Sequence, residues 1–569
     1  MKKLELIFKK TNEKIVINYG ENSLKIVDQF SKYYASPIVA AKINNTIIEL
    51  FRPIERSGII EFLDINSTDG FRIYQRGLLF ILKITLKKLF PNYCLKVSHS
   101  IGKAIYCELK NNDSKLSLSN EDVIKIKTEM NKIIKENLPF KKHEFLKTEA
   151  IELFKKFGYY DKVNLLKYRK KKTVKVYQLG KYYDYFYGYM PPSTGTLKFF
   201  DLKKYSEGFV LVLPEFKNKK PILEFKPLPK LSAVFLEYQK WLEIMNIDSV
   251  GDLNDLIAKG ERNVTDLIII SEALHEKRIA FIAEEIKKRK NVRLILIAGP
   301  SSSGKTTFSK RLMVQLRASG LRPITISLDD YFVDREKTPK NEKGEYDFEA
   351  LEAIDIELFN KTLLELFNGK EVEIPKFDFT IGKRKSKGTL LKIDKDQPII
   401  VEGIHGLNPK LTTLIPEELK FKIYASALTQ INLDNTNRIH TTDTRLLRRI
   451  VRDSKFRNHN AYQTLKMWPN VRFGEEKNIF PYQENADIMF NSALVYEIPV
   501  LKIFAEQLLI TVPDNTPETS EATRLLKILD YFLPITNLED IPRTSIIREF
   551  IGRSVFKYWL LKSFYFLFY

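Results

Sequence analysis

A glycine-rich segment near the middle of the chain has the pattern of a phosphate-binding loop. Residues 299–306 read GPSSSGKT and fit G-x-x-x-x-G-K-[ST], after a predicted strand and before a predicted helix. In such a loop main-chain N–H groups surround a β-phosphate, Lys305 contacts the β- and γ-phosphates, and the Thr306 hydroxyl ligates magnesium. The residues predicted to hold a nucleotide are Gly299, Pro300, Ser301, Ser302, Ser303, Gly304, Lys305, Thr306 and Thr307.

Two acidic side chains follow predicted strands further along the chain. The segment PITISLD leads to Asp329, and QPIIVEG brings Glu402 to the end of another strand. Ligands of open α/β sheets gather at the carboxyl ends of the strands, so we expect both carboxylates to flank a metal-bound triphosphate. We interpret the neighbouring Asp330 as a strand-end cap. The chain lacks the guanine-reading N-K-x-D motif, which argues against a GTPase.

Arginines recur at three- and four-residue steps in the segment DTRLLRRIVRD. They lie along one side of a predicted helix and are Arg445, Arg448, Arg449 and Arg452. Guanidinium groups bind phosphoryl oxygens through paired hydrogen bonds and offset the charge that spreads over them during transfer. The cluster is therefore predicted to close over phosphates. A salt-bridged surface helix is the alternative interpretation.

These candidate residues require a parallel sheet with crossover helices. From the strand VRLILIA onward, strand-like and helix-like segments alternate, which is typical of such an α/β fold. The opening residues alternate apolar and polar side chains around one helix, as expected for a small half-buried sheet. At 569 residues the chain is too long for one hydrophobic core. We predict a small sheet domain (1–65), a mixed α+β region (66–213), a proline- and lysine-rich linker (214–265), the α/β domain (266–515) and a C-terminal helical extension with an apolar tail (516–569).

The composition indicates a globular protein of a reducing compartment. The only two cysteines, Cys94 and Cys107, cannot build a disulfide framework or a four-cysteine zinc site, so we expect a cytoplasmic location. The apolar tail KYWLLKSFYFLFY is too short to span a bilayer, and no membrane partner is expected. The formal charge of +22 suits a polyanionic partner, either nucleic acid or the phosphates of small ligands.

Together these motifs resemble the uridine kinase and phosphoribulokinase family. GPSSSGKTT, ISLDDYF, IPKFDF, IIVEG and DTRLLRRIVRD occur in the family's order between about Arg293 and Lys502. The resemblance implies an ATP-dependent kinase with Mg²⁺ and a nucleoside acceptor, phosphorylated at its 5′-hydroxyl. It implies the following roles: Asp329 as general base, Thr306 and Glu402 as magnesium ligands, Arg445, Arg448 and Arg449 as lid arginines with Lys305 on the phosphates, and Glu349, Phe377 and Arg384 as nucleoside contacts.

One departure from that family leaves the acceptor open. Uridine kinases carry a histidine near the base after the IPKFDF-like motif, and the matching position here is Gly382. A kinase for another hydroxylated metabolite, such as a sugar phosphate, is therefore a second interpretation. A third, from a different class, is an RNA- or tRNA-binding regulator that nucleotide binding switches between conformations.

The front half resembles threonyl-tRNA synthetase. Residues 1 to about 65 are similar to a TGS domain, which is a β-grasp module, and GKYYDYFYGYMPPSTG is similar to the synthetase's second additional domain. The histidine and cysteine positions of the synthetase editing site are occupied here by Tyr74, Leu78, Phe186 and Met190. Because none of these side chains supplies metal-binding or nucleophile-positioning chemistry, we expect no deacylation. RNA contact through KYRKKKTVK, regulation by a small ligand and homo-oligomerisation are all compatible with this half of the sequence.

Overall fold

The N-terminal part of the chain folds around a mixed five-stranded sheet. The computed structural model describes residues 2–111, 114–216, 221–222, 224–340, 344, 346–378, 381–429 and 431–556, so the apolar tail lies outside the described residues. The elements are β1 (Lys3–Phe8), β2 (Glu13–Asn18), α1 (Val27–Phe30), β3 (Ile38–Ile43), β4 (Thr46–Glu49) and β5 (Gly58–Asp64). The strand order is β2-β1-β5-β3-β4, with β1 and β5 parallel. Phe8, Phe30 and Phe62 stack in its core, as the alternating pattern predicted.

The second region combines two antiparallel sheets with helices. Its elements are α2 (Thr68–Leu89), β6 (Cys94–Ile101), β7 (Ala104–Lys110), β8 (Lys115–Leu116), α3 (Asn120–Lys135), β9 (Lys141–Leu146), α4 (Lys147–Phe157), α5 (Tyr160–Lys167), β10 (Thr173–Leu179), β11 (Tyr182–Asp184), β12 (Asp201–Tyr205) and β13 (Gly208–Val212). One sheet has the order β12-β13-β7-β6, with β8 beside β7, and the other has the order β11-β10-β9. Helix α2 is buried along most of its length because it packs against α3, β6 and strands β3 and β5 of the N-terminal sheet.

Helices occupy much of the segment predicted as a linker. They are α6 (Pro229–Ile244), α7 (Val250–Ala258) and the start of α8 (Glu261–Lys288). The proline at position 229 opens α6 rather than breaking it, because a first-turn proline lacks only an N–H that would have no partner there. Buried Phe235 and Leu242 then hold α6 against the rest of the molecule.

A five-stranded parallel sheet forms the centre of the C-terminal half, which confirms the predicted α/β fold. The elements are β14 (Leu294–Ala298), α9 (Lys305–Ala318), β15 (Ile324–Ser327), α10 (Ile356–Phe367), β16 (Val372–Ile374), β17 (Phe377–Asp378), β18 (Lys383–Arg384), β19 (Thr389–Leu391), β20 (Ile399–Glu402), β21 (Lys420–Ser426), α11 (Thr441–Phe456), α12 (Ala461–Asn478), β22 (Ile488–Asn491), α13 (Glu497–Ile510), α14 (Thr519–Leu529) and α15 (Arg548–Ile551). The order β15-β20-β14-β21-β22 puts the strand of the glycine-rich loop beside the strand that ends at Glu402. Strands β16 and β19, and strands β17 and β18, form two small hairpin-like pairs beside this sheet.

The two halves of the chain share one hydrophobic core. Val174 and Val176 of β10 belong to the same buried cluster as Ile295 and Ile297 of β14. Among the described residues, no helix is both long and apolar enough to cross a membrane.

Candidate functional site

The glycine-rich loop connects β14 to α9 in the arrangement that the sequence predicted. A side chain at Gly299 would place its Cβ 1.9 Å from the main-chain oxygen of Ala425, so the strand packing excludes every other residue there. Gly304 has φ of +82°, a left-handed conformation that favours glycine. Lys305 begins α9, and its Nζ donates a hydrogen bond to the main-chain oxygen of Pro300 at 3.2 Å. The loop and the helix N-terminus therefore present N–H groups and one ammonium group to the same space.

Thr306 and Glu402 come together beside this loop. The Thr306 hydroxyl donates a hydrogen bond of 3.0 Å to Glu402 Oε1. Burial raises the pKa of Glu402 to about 6, an effect that nearby Asp329 adds to and Lys305 opposes. A hydroxyl and a carboxylate form a hard oxygen donor pair, which is what Mg²⁺ uses when substrate phosphates and water supply its remaining ligands. Both predicted magnesium ligands thus fit that ion.

Asp329 lies in a short 3-10 helix that follows β15, at the same edge of the sheet. Its side chain reaches solvent, and the surrounding protein nevertheless raises its pKa, while Lys305 and Arg457 act in the opposite direction. Its neighbour Asp330 is turned away, since it forms an ion pair with Lys376 at 2.9 Å. Asp329 is the acidic residue of this pair that is free to face an acceptor.

Arg445 and Arg448 are buried behind the loop instead of forming an exposed lid. Arg445 is 1% exposed, binds Glu475 through two nitrogens and donates a hydrogen bond of 3.0 Å to the main-chain oxygen of Ser301. Arg448 is fully buried and forms an ion pair of 2.6 Å with Glu497. Each guanidinium is thus neutralised by its own carboxylate. In this structure these two arginines hold the loop from behind, which differs from the predicted lid.

A second set of arginines lies nearer to the space in front of the loop. Arg449, Arg452 and Arg457 all approach the buried carboxylate of Asp453, at 3.2, 2.9 and 3.7 Å. Three cations share one anion, so the group carries excess positive charge. That excess lowers the pKa of Arg457 to about 10, mainly through the charge of Arg452. Such a group suits a polyanion such as a triphosphate.

Arg449 also reaches the loop directly, because its Nη1 donates a hydrogen bond of 2.7 Å to the Ser301 hydroxyl. Arg457 lies outside the segment DTRLLRRIVRD, from which the arginine cluster was predicted. The motif ends at Asp453, and Arg457 follows four positions later, after Lys455, outside the spacing of the motif arginines.

The predicted acceptor contacts occupy different environments. Burial and the nearby Glu475 raise the pKa of Glu349 to about 7, while Arg449 and Lys305 lower it, so this carboxyl lies beside the loop. Phe377 is half-buried, with its ring 5.8 Å from that of Phe332. These two side chains lie where an acceptor could reach them.

Arg384 and Gly382 play structural parts in the small hairpin beside them. Arg384 is engaged with the protein itself, forming an ion pair of 3.0 Å with Asp355 and a hydrogen bond to the main-chain oxygen of Phe332. Gly382 has φ of +70°, and a Cβ there would lie 2.7 Å from Arg335 Nε. The local backbone thus disfavours a histidine at position 382.

Two further polar side chains at this site carried no clear sequence signal. His405 follows β20 and is 1% exposed, and its ring lies beside the main chain of Glu349 and Ala350. Burial lowers its pKa to about 4. Glu549 of α15 accepts hydrogen bonds from the N–H and hydroxyl of Thr307. The segment IVEGIHGL contains His405 shortly after a predicted strand. Glu549 lies 242 residues from Thr307 in the sequence, so no local pattern predicts their contact.

The positions that match the synthetase editing site are filled with packed side chains. All four are at most 2% exposed and belong to one hydrophobic cluster; they are Tyr74, Leu78, Phe186 and Met190. The Tyr74 hydroxyl is used internally, since it donates to the main-chain oxygen of Phe199 at 2.9 Å. His99 is likewise buried, stacked on the ring of Phe235 at 4.2 Å. Among the described residues, no group of three or more His, Cys, Asp or Glu side chains is placed to hold a metal ion.

Comparison with known proteins agrees with both resemblances. Residues 294–498 match the Phosphoribulokinase / Uridine kinase family, so the C-terminal half carries a kinase region of that family. The front half is similar to threonine–tRNA ligases: 35% identity over 185 residues with the enzyme of Streptococcus equi subsp. zooepidemicus and 33% over 183 residues with that of Streptococcus pyogenes. Each match covers 32% of this chain and 28% of the ligase, so the chain spans less than a third of those relatives.

Solved structures with similarity to the chain include two kinases. A "putative fructose transport system kinase" from Silicibacter is 17% identical, with a TM-score of 0.25, and covers 37% of this chain and 98% of its own. A "possible uridine kinase" from Bacillus stearothermophilus is 20% identical, with a TM-score of 0.24, and covers 38% of this chain and 98% of its own.

Proposed function

We propose that this protein transfers the γ-phosphoryl group of ATP to a hydroxyl of a small acceptor, and that the favoured acceptor is the 5′-hydroxyl of a nucleoside. The observation that carries the proposal is the meeting of Lys305, Asp329 and Glu402 at one edge of the parallel sheet. Lys305 opposes the rise in pKa of both carboxyls, so all three charges lie within electrostatic reach of one another. A phosphate-binding cation beside two acids is the arrangement that phosphoryl transfer requires.

The donor side is built from the loop and the arginine group around Asp453. Main-chain N–H groups of the glycine-rich loop face the phosphates, and Lys305 offsets the charge on the transferring group. Arg449 and Arg457 supply further positive charge near the same space. Thr306 and Glu402 are the residues that would hold Mg²⁺, which would neutralise charge on the phosphates when bound together with ATP.

On the acceptor side Asp329 is proposed as the general base. As the acceptor oxygen bonds to the γ-phosphorus, the bond from that phosphorus to the β,γ-bridging oxygen breaks, and the hydroxyl proton passes to the Asp329 carboxylate. A raised pKa favours this role, because a carboxylate with a higher pKa is a better proton acceptor at neutral pH. ADP and the phosphorylated acceptor leave.

Glu349 and Phe377 support a ribose- and base-sized acceptor, through a hydrogen-bonding carboxyl and an aromatic surface. The absence of a histidine at Gly382 supports the second candidate, a kinase for a sugar phosphate or similar metabolite. His405, buried beside the main chain of Glu349 and Ala350, is an alternative group for the acceptor in either case.

The experiment is ADP release from Mg²⁺-ATP across a panel of nucleosides and sugar phosphates. Wild type is compared with Asp329→Asn and with Asp514→Asn, a control at an exposed acidic residue. We expect one class of nucleoside to give turnover with the wild type. In Asp329→Asn this turnover should fall at least about a hundredfold, which is the lower end of the range for the loss of a general base, and in the control it should stay the same. Turnover with sugar phosphates alone would favour the second candidate. No turnover with any acceptor, together with salt-sensitive RNA binding, would replace the kinase with the RNA-binding regulator.

A further inference from the structure

A cavity of about 60 Å³ lies where the N-terminal sheet, the synthetase-like region and helix α14 meet. Its lining includes Asn45, Arg76, Tyr187, Tyr189, Thr519 and Lys527. The cavity is thus built by three parts of the chain that are far apart in sequence. It lies outside the kinase loop and also outside the packed positions that match the editing site.

Arg76 is a buried cation in this cavity with no anionic partner among the described residues. It is 9% exposed, its Nη1 donates to the main-chain oxygen of Tyr189 at 3.0 Å, and its guanidinium lies 5.4 Å from the centre of the Tyr187 ring. A Cβ at Gly188 would lie 2.1 Å from the guanidinium carbon, so glycine makes the space for this side chain. Burying an unpaired guanidinium is costly, and proteins normally supply an anion.

Lys527 adds a second cation, half-buried and with no ion pair to the described residues. Its ammonium lies 5.0 Å from the centre of the Tyr189 ring. Its pKa is lowered to about 8, mainly by burial and in part by repulsion from nearby Lys142 and Arg76. The described residues thus leave two neighbouring cations uncompensated.

The other charged groups of the cavity are already paired. Asp69 is engaged with Lys42 at 2.7 Å, and Arg524 binds both Asp443 and Glu521. Asp69 also accepts a hydrogen bond of 3.2 Å from the Ser520 hydroxyl. The unpaired charge of the cavity is therefore positive and comes from Arg76 and Lys527.

We propose that this cavity is a binding site for a single phosphate group, either inorganic phosphate or the phosphate of a small metabolite. The space of about 60 Å³ is several times the roughly 10–15 Å³ that one water molecule needs by the same measure, so a group with a few oxygen atoms fits. Arg76 and Lys527 would give charge-assisted hydrogen bonds to the phosphate oxygens. Thr523 lines the cavity and is exposed, so the rest of a metabolite can extend into solvent.

The test is titration calorimetry with inorganic phosphate on the full chain. All proteins carry Lys305→Ala, which weakens binding at the kinase loop and isolates the second site. Arg76→Gln and Lys527→Gln are made singly, and a control carries Arg262→Gln with Lys125→Gln, two exposed cations elsewhere. We expect each test variant to bind phosphate at least about tenfold more weakly, as for the loss of one charge-assisted hydrogen bond, with no change in the control.

Equal phosphate affinity in the parent, Arg76→Gln and Lys527→Gln would overturn the proposal, as would the absence of phosphate binding to the Lys305→Ala parent. Circular dichroism checks that each variant is folded, and Lys527→Gln keeps the test decisive if the buried Arg76 proves necessary for folding. A parallel titration with uridine 5′-monophosphate identifies the source. If uridine 5′-monophosphate binds at least tenfold more tightly than inorganic phosphate, and this binding is lost in the same two variants, the ligand is a nucleotide. If the two compounds bind with equal affinity, the ligand is the free phosphate ion.

Discussion

The carboxylate of Glu549 accepts two hydrogen bonds from Thr307, one from its N–H at 3.2 Å and one from its hydroxyl at 2.5 Å. Thr307 is the third residue of α9, whose first N–H groups have no partner within the helix. An anion is favoured at such a helix start, and here a protein carboxylate takes part of the position where a nucleotide phosphate is expected. We therefore expect Glu549 to compete with ATP in the proposed kinase.

Glu549→Gln is expected to raise the affinity for ATP several-fold. The amide keeps the side-chain shape but removes the negative charge that repels the phosphates. The measurement is titration of a non-hydrolysable ATP analogue with Mg²⁺, and Glu539→Gln, at an exposed residue, is the control. Weaker analogue binding in Glu549→Gln would show instead that this carboxylate helps to shape the loop.

Arg445→Lys is expected to weaken ATP binding by about tenfold. The guanidinium binds Glu475 with two nitrogens and also reaches the Ser301 carbonyl, a geometry that a single ammonium group cannot reproduce. Arg472→Lys is the matched control, because Arg472 binds the same Glu475 carboxylate from a more exposed position and has no hydrogen bond to the loop among the described residues. Equal losses in the two variants would assign the effect to Glu475 alone.

The KM for the acceptor is expected to fall as pH rises through about 7. Burial raises the pKa of Glu349 to about 7, so the group is protonated below that value and becomes a hydrogen-bond-accepting carboxylate above it. Between pH 6 and 8 the ionised fraction grows about tenfold. Glu349→Gln should give a KM that does not change over this range, whereas Glu352→Gln, at an exposed neighbour, should keep the wild-type profile. A pH-dependent KM that survives in Glu349→Gln would assign the titration to another group.

The parts of the site that could be predicted from the sequence are those that depend on residues close together in the chain. The loop from Gly299 to Thr306 is a continuous motif, and Asp329 and Glu402 each end a strand whose apolar run was visible. Parallel strand order then brings the two acids together without any further information. The pairing of Thr306 with Glu402 follows from that order.

The features missed by sequence reasoning depend on distant partners. Their spacing in the sequence places Arg445 and Arg448 on one face of a helix. Both are buried because each pairs with a carboxylate of another helix, Glu475 of α12 and Glu497 of α13. The proline and lysine content predicted a linker in the segment where α6 forms. The helix forms there because the packing of residues such as Phe235 outweighs the local composition. The charge imbalance at Arg76 depends on three segments that only the fold brings together.

The two halves of the chain are joined by a buried ion cluster, and removing its cation is expected to destabilise the protein by about 3–5 kcal/mol. Lys162 lies 3.2 Å from Asp184 in the synthetase-like region and 3.0 Å from Asp434 in the kinase region, and all three side chains are fully buried. In Lys162→Met the carboxylate of Asp434 loses this ion pair while staying out of water.

Urea unfolding followed by circular dichroism measures the effect of Lys162→Met. The control is Lys167→Met on the same helix, which removes an exposed ion pair with Asp255 and should cost less than about 1 kcal/mol. If the two variants unfold at the same urea concentration, the buried cluster does not stabilise the junction. A selective loss in Lys162→Met, with the front half unfolding first, would show that this charge couples the synthetase-like region to the kinase.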